Sequence, residues 1–145
     1  MKADVRFYTR SGNTRKLADR AIKAIDNSDY AETVTISLNE TVDLLFLGCS
    51  PYGGKFHPQV GHFLEYNKNK IKKIVLFGTS ASGKSLYEEV KKLCEKLNIE
   101  IDSEYFDCKG RFMFLNRKRP NEEDLNKLET FVVRKVMEEK LKNEI

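Results

Sequence analysis

A hydroxyl-rich turn, Thr9-Arg10-Ser11-Gly12-Asn13-Thr14, determines which fold this sequence predicts. Residues 3–8 precede it as an apolar run with strand-like alternation, and they predict a first β-strand. Apolar residues at helical spacing follow it over 17–25 and predict an amphipathic helix. The turn therefore joins the end of a strand to the beginning of a helix. At such a junction, unpaired backbone N–H groups and the positive end of the helix dipole favour an anion.

The composition of this turn favours a phosphate group. Gly12 lets the backbone approach an anion closely, and the hydroxyls of Thr9, Ser11 and Thr14 can donate hydrogen bonds to it. In the alternative interpretation, Ser11 or Asn13 caps the helix and no ligand is bound. Three hydroxyls with glycine and asparagine, in the first connection of an α/β pattern, favour the phosphate site over the cap.

The length and composition predict one soluble globular domain, residues 1–145. Hydrophobic residues make up 40% of the chain and charged residues 33%, which is typical of globular proteins. No apolar run approaches the roughly 20 residues that a membrane helix needs. The N-terminus has no apolar signal-peptide core, and this predicts a cytoplasmic protein.

The cysteines predict neither a disulfide framework nor a metal site, because Cys49, Cys94 and Cys108 are widely spaced and form no C-x-x-C pair. Cys94 lies on a helix stripe, and all three are expected to be small buried hydrophobic residues. The net charge is +4, and lysines are mixed with glutamates along the predicted helices. Such mixing predicts a solvated surface, with no nucleic-acid interface.

Strands and helices alternate along the rest of the chain. Further strands are predicted over 32–37, 42–48, 71–77 and 99–108. Further helices are predicted over 58–66, 86–97 and from residue 120. This alternation predicts a parallel sheet with right-handed crossover connections. Three loops rich in Gly, Ser or Thr leave strand carboxyl ends, namely 9–14, 49–55 and 78–83. All three are therefore expected on one rim of the sheet, where such folds bind ligands.

The turn at 9–14 resembles the T-x-T/S-G-x-T signature with which flavodoxins hold the phosphate of FMN. The segments 72–79 (KKIVLFGT), 106–112 (FDCKGRF) and 119–131 (RPNEEDLNKLETF) also resemble flavodoxin-like proteins, so the resemblance covers essentially the whole chain. It implies an α/β fold, a three-layer doubly wound sandwich with a five-stranded parallel sheet of order 2-1-3-4-5. The chain also resembles a subgroup that includes the flavodoxin-like partner of bilirubin reductase.

The resemblance also implies the cofactor site. In flavodoxins, the loops after the third and fourth strands flank the flavin ring, and here these are 50–56 and 79–83. The cofactor-binding residues that the resemblance implies are Thr9, Arg10, Ser11, Gly12, Asn13, Thr14, Ser50, Pro51, Tyr52, Gly53, Gly54, Thr79, Ser80, Ala81, Ser82 and Gly83. No catalytic residue and no metal ligand is expected, because the redox chemistry belongs to the flavin.

The implied function is electron transfer through non-covalent FMN to or from a protein redox partner. An electron carrier or the flavin subunit of a reductase is expected rather than an autonomous enzyme, without membrane insertion. Two alternatives stay open. Residues 78–85 fit G-x-x-x-x-G-K-S, the phosphate loop of ATP- or GTP-binding proteins, between an apolar strand and a helix. The other alternative is a flavodoxin-like interaction module that binds no cofactor.

Several residues depart from the flavodoxin pattern. The chain has no tryptophan to stack on the flavin, and Tyr52 is the expected replacement, with Phe56 behind it. Flavodoxins that serve as general electron carriers are acidic, whereas this chain is basic, so their usual partners are not expected. Lys55 and Lys84 either stabilise negative charge on the reduced flavin or form only a solvated surface. The basic segment 109–119 is either a solvated loop or a docking site for an acidic reductase.

Overall fold

A parallel β-sheet lies at the centre of the computed structural model, which describes residues 1–81, 84–111, 116 and 118–143. The strands are β1 (Ala3–Phe7), β2 (Glu32–Thr33), β3 (Leu44–Cys49), β4 (Lys73–Ser80), β5 (Glu100–Ile101) and β6 (Phe106–Lys109). They run in the order β2-β1-β3-β4-β5, β6 also pairs with β4, and every pairing is parallel. The predicted strand order is therefore confirmed.

Two helices cover each face of the sheet. The helices are α1 (Asn13–Asp26), α2 (Pro58–Asn67), α3 (Tyr87–Leu97) and α4 (Glu122–Asn143). Leu45 and Leu47 of β3 belong to an apolar cluster with α2 and α3, whereas Leu44 and Phe46 belong to one with α1 and α4. Every residue of β3 is buried, and this explains its unbroken apolar run in the sequence. The predicted three-layer sandwich is confirmed.

The last helix begins with a reciprocal pair of hydrogen bonds. The backbone N–H of Asp124 donates to the side chain of Asn121 at 3.0 Å, and the N–H of Asn121 donates to the carboxylate of Asp124 at 2.8 Å. This capping box satisfies two donors that would otherwise lack partners. It explains why the acidic residues after Pro120 begin a helix, as the sequence predicted.

The second strand is shorter than predicted, because strand pairing ends at Thr33. The carbonyl of Ile36 accepts a hydrogen bond from Nε of Arg6 at 2.9 Å, and the carbonyl of Ser37 accepts one at 3.3 Å. Arg6 is buried, and these carbonyls satisfy part of its guanidinium. The prediction of a strand over 32–37 is therefore wrong beyond Thr33, because the chain turns there, with the N–H of Ile36 donating to the carbonyl of Thr33 at 3.1 Å, and Arg6 takes the acceptors that follow.

The predicted fifth strand is divided into β5 and β6, and both pair with the same edge of β4. Ile101 pairs with Ile74, and Phe106 pairs with Phe77. Between these two pairs, β4 has two residues, 75 and 76, whereas the chain opposite has four, 102–105. The carboxylate of Asp102 accepts the N–H of Glu104 at 2.8 Å, a local turn that competes with strand pairing. The prediction of one continuous strand over 99–108 is corrected accordingly.

Across residues 1–81, 84–111, 116 and 118–143, no helix has the length and apolar character needed to cross a membrane.

Candidate functional site

The carboxyl ends of the central strands meet at one rim of the sheet. Phe7 pairs with Gly48, and Cys49 pairs with Gly78, so the connections that follow β1, β3 and β4 begin side by side. A cleft of about 600 Å³ opens at this rim. This volume lies within the roughly 300–1,000 Å³ of small-molecule sites. The cleft is lined by Arg10, Ser11, Asn13, Ser50, Pro51, Gly54, Thr79, Ser80, Ala81, Gly110 and Arg111.

The turn before α1 leaves the first helical turn without a side-chain cap. Gly12 occupies the cap position with φ of 89°, a left-handed conformation that glycine adopts without strain. Its N–H donates to Oγ1 of Thr9 at 3.1 Å, which leaves the hydroxyl proton of Thr9 available to an anion. The alternative in which Ser11 or Asn13 caps the helix is wrong, because neither side chain makes a capping bond. The N–H groups of the first turn therefore lack a side-chain cap, and Ser11 and Asn13, on either side of Gly12, line the cleft.

Thr14 and Thr79 hold the two sides of the cleft together. Their Oγ1 atoms lie 3.1 Å apart, and both residues are buried. Thr14 is not among the residues that line the cleft, so its hydroxyl supports the turn from beneath. Of the three hydroxyl side chains predicted in the turn, only Ser11 lines the cleft directly.

The end of β4 carries three residues that were expected in a loop, Gly78, Thr79 and Ser80. Thr79 and Ser80 continue the strand, because β6 pairs with this end of β4 at Cys108 and Lys109. The prediction that β4 ends at residue 77 is therefore wrong, although both residues do line the cleft. Ala81 follows and also lines it. The predicted site residues Ser82 and Gly83 lie outside the described residues.

Sequence reasoning missed the segment that closes the cleft, Gly110 and Arg111. The side-chain amide of Asn13 donates to the carbonyl of Arg111 at 2.8 Å. The N–H of Gly110 donates to the carbonyl of Ser80 at 3.2 Å. A Cβ atom on Gly110 would lie only 2.9 Å from the amide of Asn13, so this close approach requires glycine. The sequence offered one indication of this segment, namely that it follows the end of a predicted strand and so belongs at the same rim.

The connection after β3 forms a small hairpin. Tyr52 and Lys55 exchange two backbone hydrogen bonds, with N···O distances of 2.6 and 3.2 Å, around the pair Gly53 and Gly54. Gly54 lines the cleft together with Ser50 and Pro51, whereas Tyr52 and Gly53 do not. The connection therefore lines the cleft with Ser50, Pro51 and Gly54, whereas the ring of Tyr52 lies outside the lining.

The ring of Tyr52 is engaged by other side chains. The guanidinium of Arg10 lies 4.7 Å from its centroid, and the ring of His57 meets it edge-on at 4.9 Å. His57 in turn stacks on Tyr8 at 4.1 Å and accepts the N–H of Gln59 at the beginning of α2. The role of Tyr52 as the residue that stacks on the flavin stays a prediction.

Burial raises the pKa values of Asp107 and of the three cysteine thiols. The pKa of Asp107 rises to about 6, and Oγ of Ser80 donates a long hydrogen bond to this carboxylate at 3.4 Å. The pKa values of Cys49 and Cys108 rise to about 12, and that of Cys94 to about 11. The three cysteines are thiols at neutral pH; Cys49 and Cys94 are buried as expected, whereas Cys108 is only half-buried.

The segment that fits a nucleotide phosphate loop has a different arrangement here. Helix α3 begins at Tyr87, and Oγ of Ser85 accepts the N–H of Tyr87 at 3.0 Å, so Ser85 acts in a local turn. Lys84 lies before the helix and lines a separate cavity of about 290 Å³. In the part of the chain that the structure describes, no group of three or more His, Cys, Asp or Glu residues could hold a metal ion. The nucleotide-binding alternative is not supported.

No family model matches this chain, and no curated protein sequence matches it significantly. Solved structures, in contrast, do match the chain. A flavodoxin from the domain Archaea is 15% identical with a TM-score of 0.77, over 97% of this chain and 99% of that one. The Fusobacterium nucleatum flavodoxin, bound to flavin mononucleotide, is 15% identical with a TM-score of 0.63, over 95% of this chain and 99% of that one. The rubredoxin oxygen:oxidoreductase of Desulfovibrio gigas is 14% identical with a TM-score of 0.74, over 99% of this chain but 37% of that one.

These similarities show the fold. The chain has the flavodoxin-like α/β architecture that the turn at 9–14 implied, and the same architecture occurs both in separate flavodoxins and as part of a larger oxidoreductase.

Proposed function

We propose that this protein binds FMN without a covalent bond and transfers electrons to or from a protein redox partner. The observation that carries the proposal is the turn without a side-chain cap at Gly12, which opens onto the cleft at the rim of a flavodoxin-like sheet. One structural neighbour with this fold is bound to flavin mononucleotide. A helix N-terminus without a cap in such a position suits a phosphate monoester.

The residues at the rim fit the parts of the cofactor. The N–H groups that follow Gly12 and the hydroxyls of Thr9 and Ser11 would hold the phosphate. Pro51 and Gly54 on one side, and Thr79 to Ala81 with Gly110 on the other, would enclose the flavin ring. When bound, the flavin would supply the capacity to accept and release one or two electrons.

This chain's own residues bind and orient the cofactor and set the charge around it. None of them is proposed as a general acid, base or nucleophile, because electron transfer through a flavin requires none. An electron carrier or the flavin subunit of a reductase therefore fits the site. The single-domain organisation and cytoplasmic location expected from the sequence stay predictions.

A flavin titration tests the proposal. The purified chain is freed of small molecules and titrated with FMN, while absorbance near ~375 and ~450 nm and flavin fluorescence are followed. We expect saturable binding, with flavin bands that survive desalting. Riboflavin, which lacks the phosphate, should bind at least about tenfold more weakly, because the charged hydrogen bonds at the helix N-terminus are lost. Failure to bind FMN would contradict the proposal.

A Mg²⁺–ATP titration under the same conditions serves as the control. A ligand that binds only the folded state at 100 times its Kd stabilises the protein by about 2.7 kcal/mol, so either ligand would be detected by thermal unfolding. Stabilisation by ATP without stabilisation by FMN would instead favour the nucleotide-binding alternative. If neither ligand stabilises the fold, the interaction module without a cofactor is favoured.

A further inference from the structure

The mouth of the cleft is surrounded by exposed cations. We call this set, Arg10, Lys55, Lys109, Arg111 and Lys118, the cationic rim. All five are exposed, and none forms an ion pair within the described part of the chain. Two nearby cations are left out of the set. Arg119 pairs with Asp124 at 2.6 Å, and Lys84 shares its cavity with Glu88 and Glu89.

Three connections bring the rim together. Arg10 belongs to the turn before α1, and its guanidinium lies over Tyr52 of the hairpin that carries Lys55. Lys109 pairs in register with Ser80, which lines the cleft, and Arg111 lines it from the same segment.

Lys118 lies in the connection that follows β6, and its neighbours in the chain tie that connection to the cleft. The carbonyl of Arg119 accepts the N–H of Arg111 at 3.0 Å. The side-chain amide of Asn116 donates to the carbonyls of Ala81 and Gly110, both at 3.2 Å. These bonds hold Asn116 and Arg119 beside the wall of the cleft, and Lys118, which precedes Arg119, is exposed.

The rim does not stabilise the fold. Exposed cations without partners repel one another, and exposed ion pairs contribute at most about 1 kcal/mol even where they form. Among the carboxylates near the cleft, Asp107 on β6 is half-buried and accepts a hydrogen bond from Ser80, whereas Glu88 and Glu89 lie with Lys84 in the adjoining cavity. A group of one sign around the mouth of a cleft does attract molecules of the opposite charge, and it raises their association rates.

We propose that the cationic rim is a docking surface for an electron-transfer protein with an acidic surface. The proposal rests on the proposed function, because a partner that exchanges electrons with a cofactor in the cleft must approach its mouth. Transient electron-transfer complexes are small and depend on complementary charge rather than on a large apolar area. The cations surround an opening instead of following a stripe, and the exposed Tyr52 is covered by Arg10, so the surface lacks the free stacking platform typical of nucleic-acid sites.

Binding to an acidic two-iron ferredoxin tests the proposal directly. The full-length chain without flavin is titrated with this ferredoxin at an ionic strength of about 0.01 M, where the Debye length is roughly 30 Å. We expect saturable binding that weakens steeply with added salt. Amide chemical-shift changes should be centred on the turn at 9–12, the hairpin at 52–55 and residues 109–111. The absence of binding at low salt would overturn the proposal.

Matched variants locate the surface. The triple variant Lys55→Gln, Lys109→Gln, Lys118→Gln should weaken ferredoxin binding about tenfold, since rim charges act on association. The control variant Lys68→Gln, Lys92→Gln, Lys96→Gln removes the same net charge from exposed positions away from the rim and should change the affinity less than about twofold. Equal losses in both triple variants would mean that net charge alone is responsible and would overturn the assignment.

Two further outcomes are distinguishable. A duplex DNA of random sequence that binds the rim more tightly than the ferredoxin at equal salt would overturn the assignment to a protein partner. Flavin uptake is measured separately, and the docking titration uses the chain without flavin. Loss of ferredoxin binding with normal FMN binding therefore contradicts only this inference, and loss of FMN binding contradicts the proposed function.

Discussion

Cations lie near both ends of strand β4, but those at one end are buried and paired, whereas those at the other are exposed. At its beginning, Lys73 and Lys135 are only 6% and 4% exposed. Nζ of Lys135 lies 3.0 Å from Asp102 and 2.7 Å from Glu104, and Nζ of Lys73 lies 3.2 Å from Glu139. At its other end lies the cationic rim, where the charges are exposed and make no ion pair with any described residue. The comparison teaches that a buried charge needs a partner, because burial without one is costly, whereas an exposed charge can stay without one.

Functional consequences follow from the same difference. The buried pairs satisfy one another, so they are parts of the fold with little attraction left for a ligand. The charges of the cationic rim are not neutralised by neighbours, so they remain able to attract a negatively charged molecule. Substitutions at the two ends should therefore separate stability from function.

The largest expected effect is at the paired end. Lys135→Met keeps much of the side-chain volume but removes the charge that faces Asp102, and we expect the free energy of unfolding to fall by about 2–3 kcal/mol, since a buried carboxylate loses its main partner. Urea unfolding measures this loss. Lys140→Met, at an exposed position of the same helix, is the control, with an expected change below about 0.5 kcal/mol. Adding Asp102→Asn to Lys135→Met should recover part of the loss, and no recovery would contradict the pairing.

The next effect is at the turn that begins α1. Gly12→Ala places a side chain at φ of 89° with no heavy atom within 4 Å of the new Cβ, so the cost comes from the backbone alone. We expect a loss of about 1–2 kcal/mol in urea unfolding and weaker FMN binding. Gly61→Ala is the control, because Gly61 lies within helix α2 and its Cβ would make ordinary contacts with Phe56 and Leu93. That substitution should stabilise by roughly 0.5–1 kcal/mol, and a similar loss in both variants would contradict the role of the turn.

A smaller effect concerns Asp107 beneath the rim. Burial raises its pKa from 3.8 to about 6, so the folded state binds a proton more tightly than the unfolded chain. The contribution of Asp107 to the free energy of unfolding therefore falls as pH rises from 3.8 to about 6 and is level above that. Asp107→Asn should remove this dependence and stabilise the protein by about 1 kcal/mol at pH 7, after allowance for solvent screening. Unchanged unfolding curves between pH 4 and pH 7 would contradict it.

The lysines beside the expected ring loops should have a modest effect on redox chemistry. Lys55→Gln and Lys84→Gln each remove an exposed cation, and with screening we expect the potential of the second reduction step to fall by roughly 20 mV per charge, or about 0.5 kcal/mol. A redox titration of the FMN-loaded protein measures it, with Lys92→Gln as the distant control. A potential for the complete reduction as low as in acidic flavodoxins would contradict the hypothesis that the basic chain raises it.

The smallest expected effect completes the comparison. The triple variant Lys55→Gln, Lys109→Gln, Lys118→Gln should change the free energy of unfolding by less than about 0.5 kcal/mol, although it removes three charges. Urea unfolding beside the Lys135→Met variant provides the test. A loss as large as that of Lys135→Met would mean that the rim charges are structural.

The sequence predicted what depends on local pattern. The alternating strand before Thr9, the helix after Gly12 and the order of the sheet follow from periodicity and from the resemblance, and the structure confirms them. The meeting of three loops at one rim was also predictable, since parallel strands bring their carboxyl ends together. Most of the predicted site residues that the structure describes do line the cleft.

What was not predictable depends on contacts between distant residues. Arg6 takes the carbonyls of 36–37 and shortens β2, and the side chain of Asp102 forms the turn that divides the fifth strand. Both outcomes depend on side-chain hydrogen bonds that no periodicity reveals. The ring of Tyr52 is likewise placed by Arg10 and His57, whose positions relative to it are set by the fold.

The bond between Asn13 and the carbonyl of Arg111 joins residues 98 positions apart in the chain. During synthesis on the ribosome, the turn at 9–14 emerges early, but the opposite wall of the cleft is made only after residue 111 has been added. A nascent chain that stops before this point has the turn without the cleft. Under the proposed function, cofactor loading follows late in translation, and chains truncated before residue 111 should be unable to hold FMN, even if their first strands have formed.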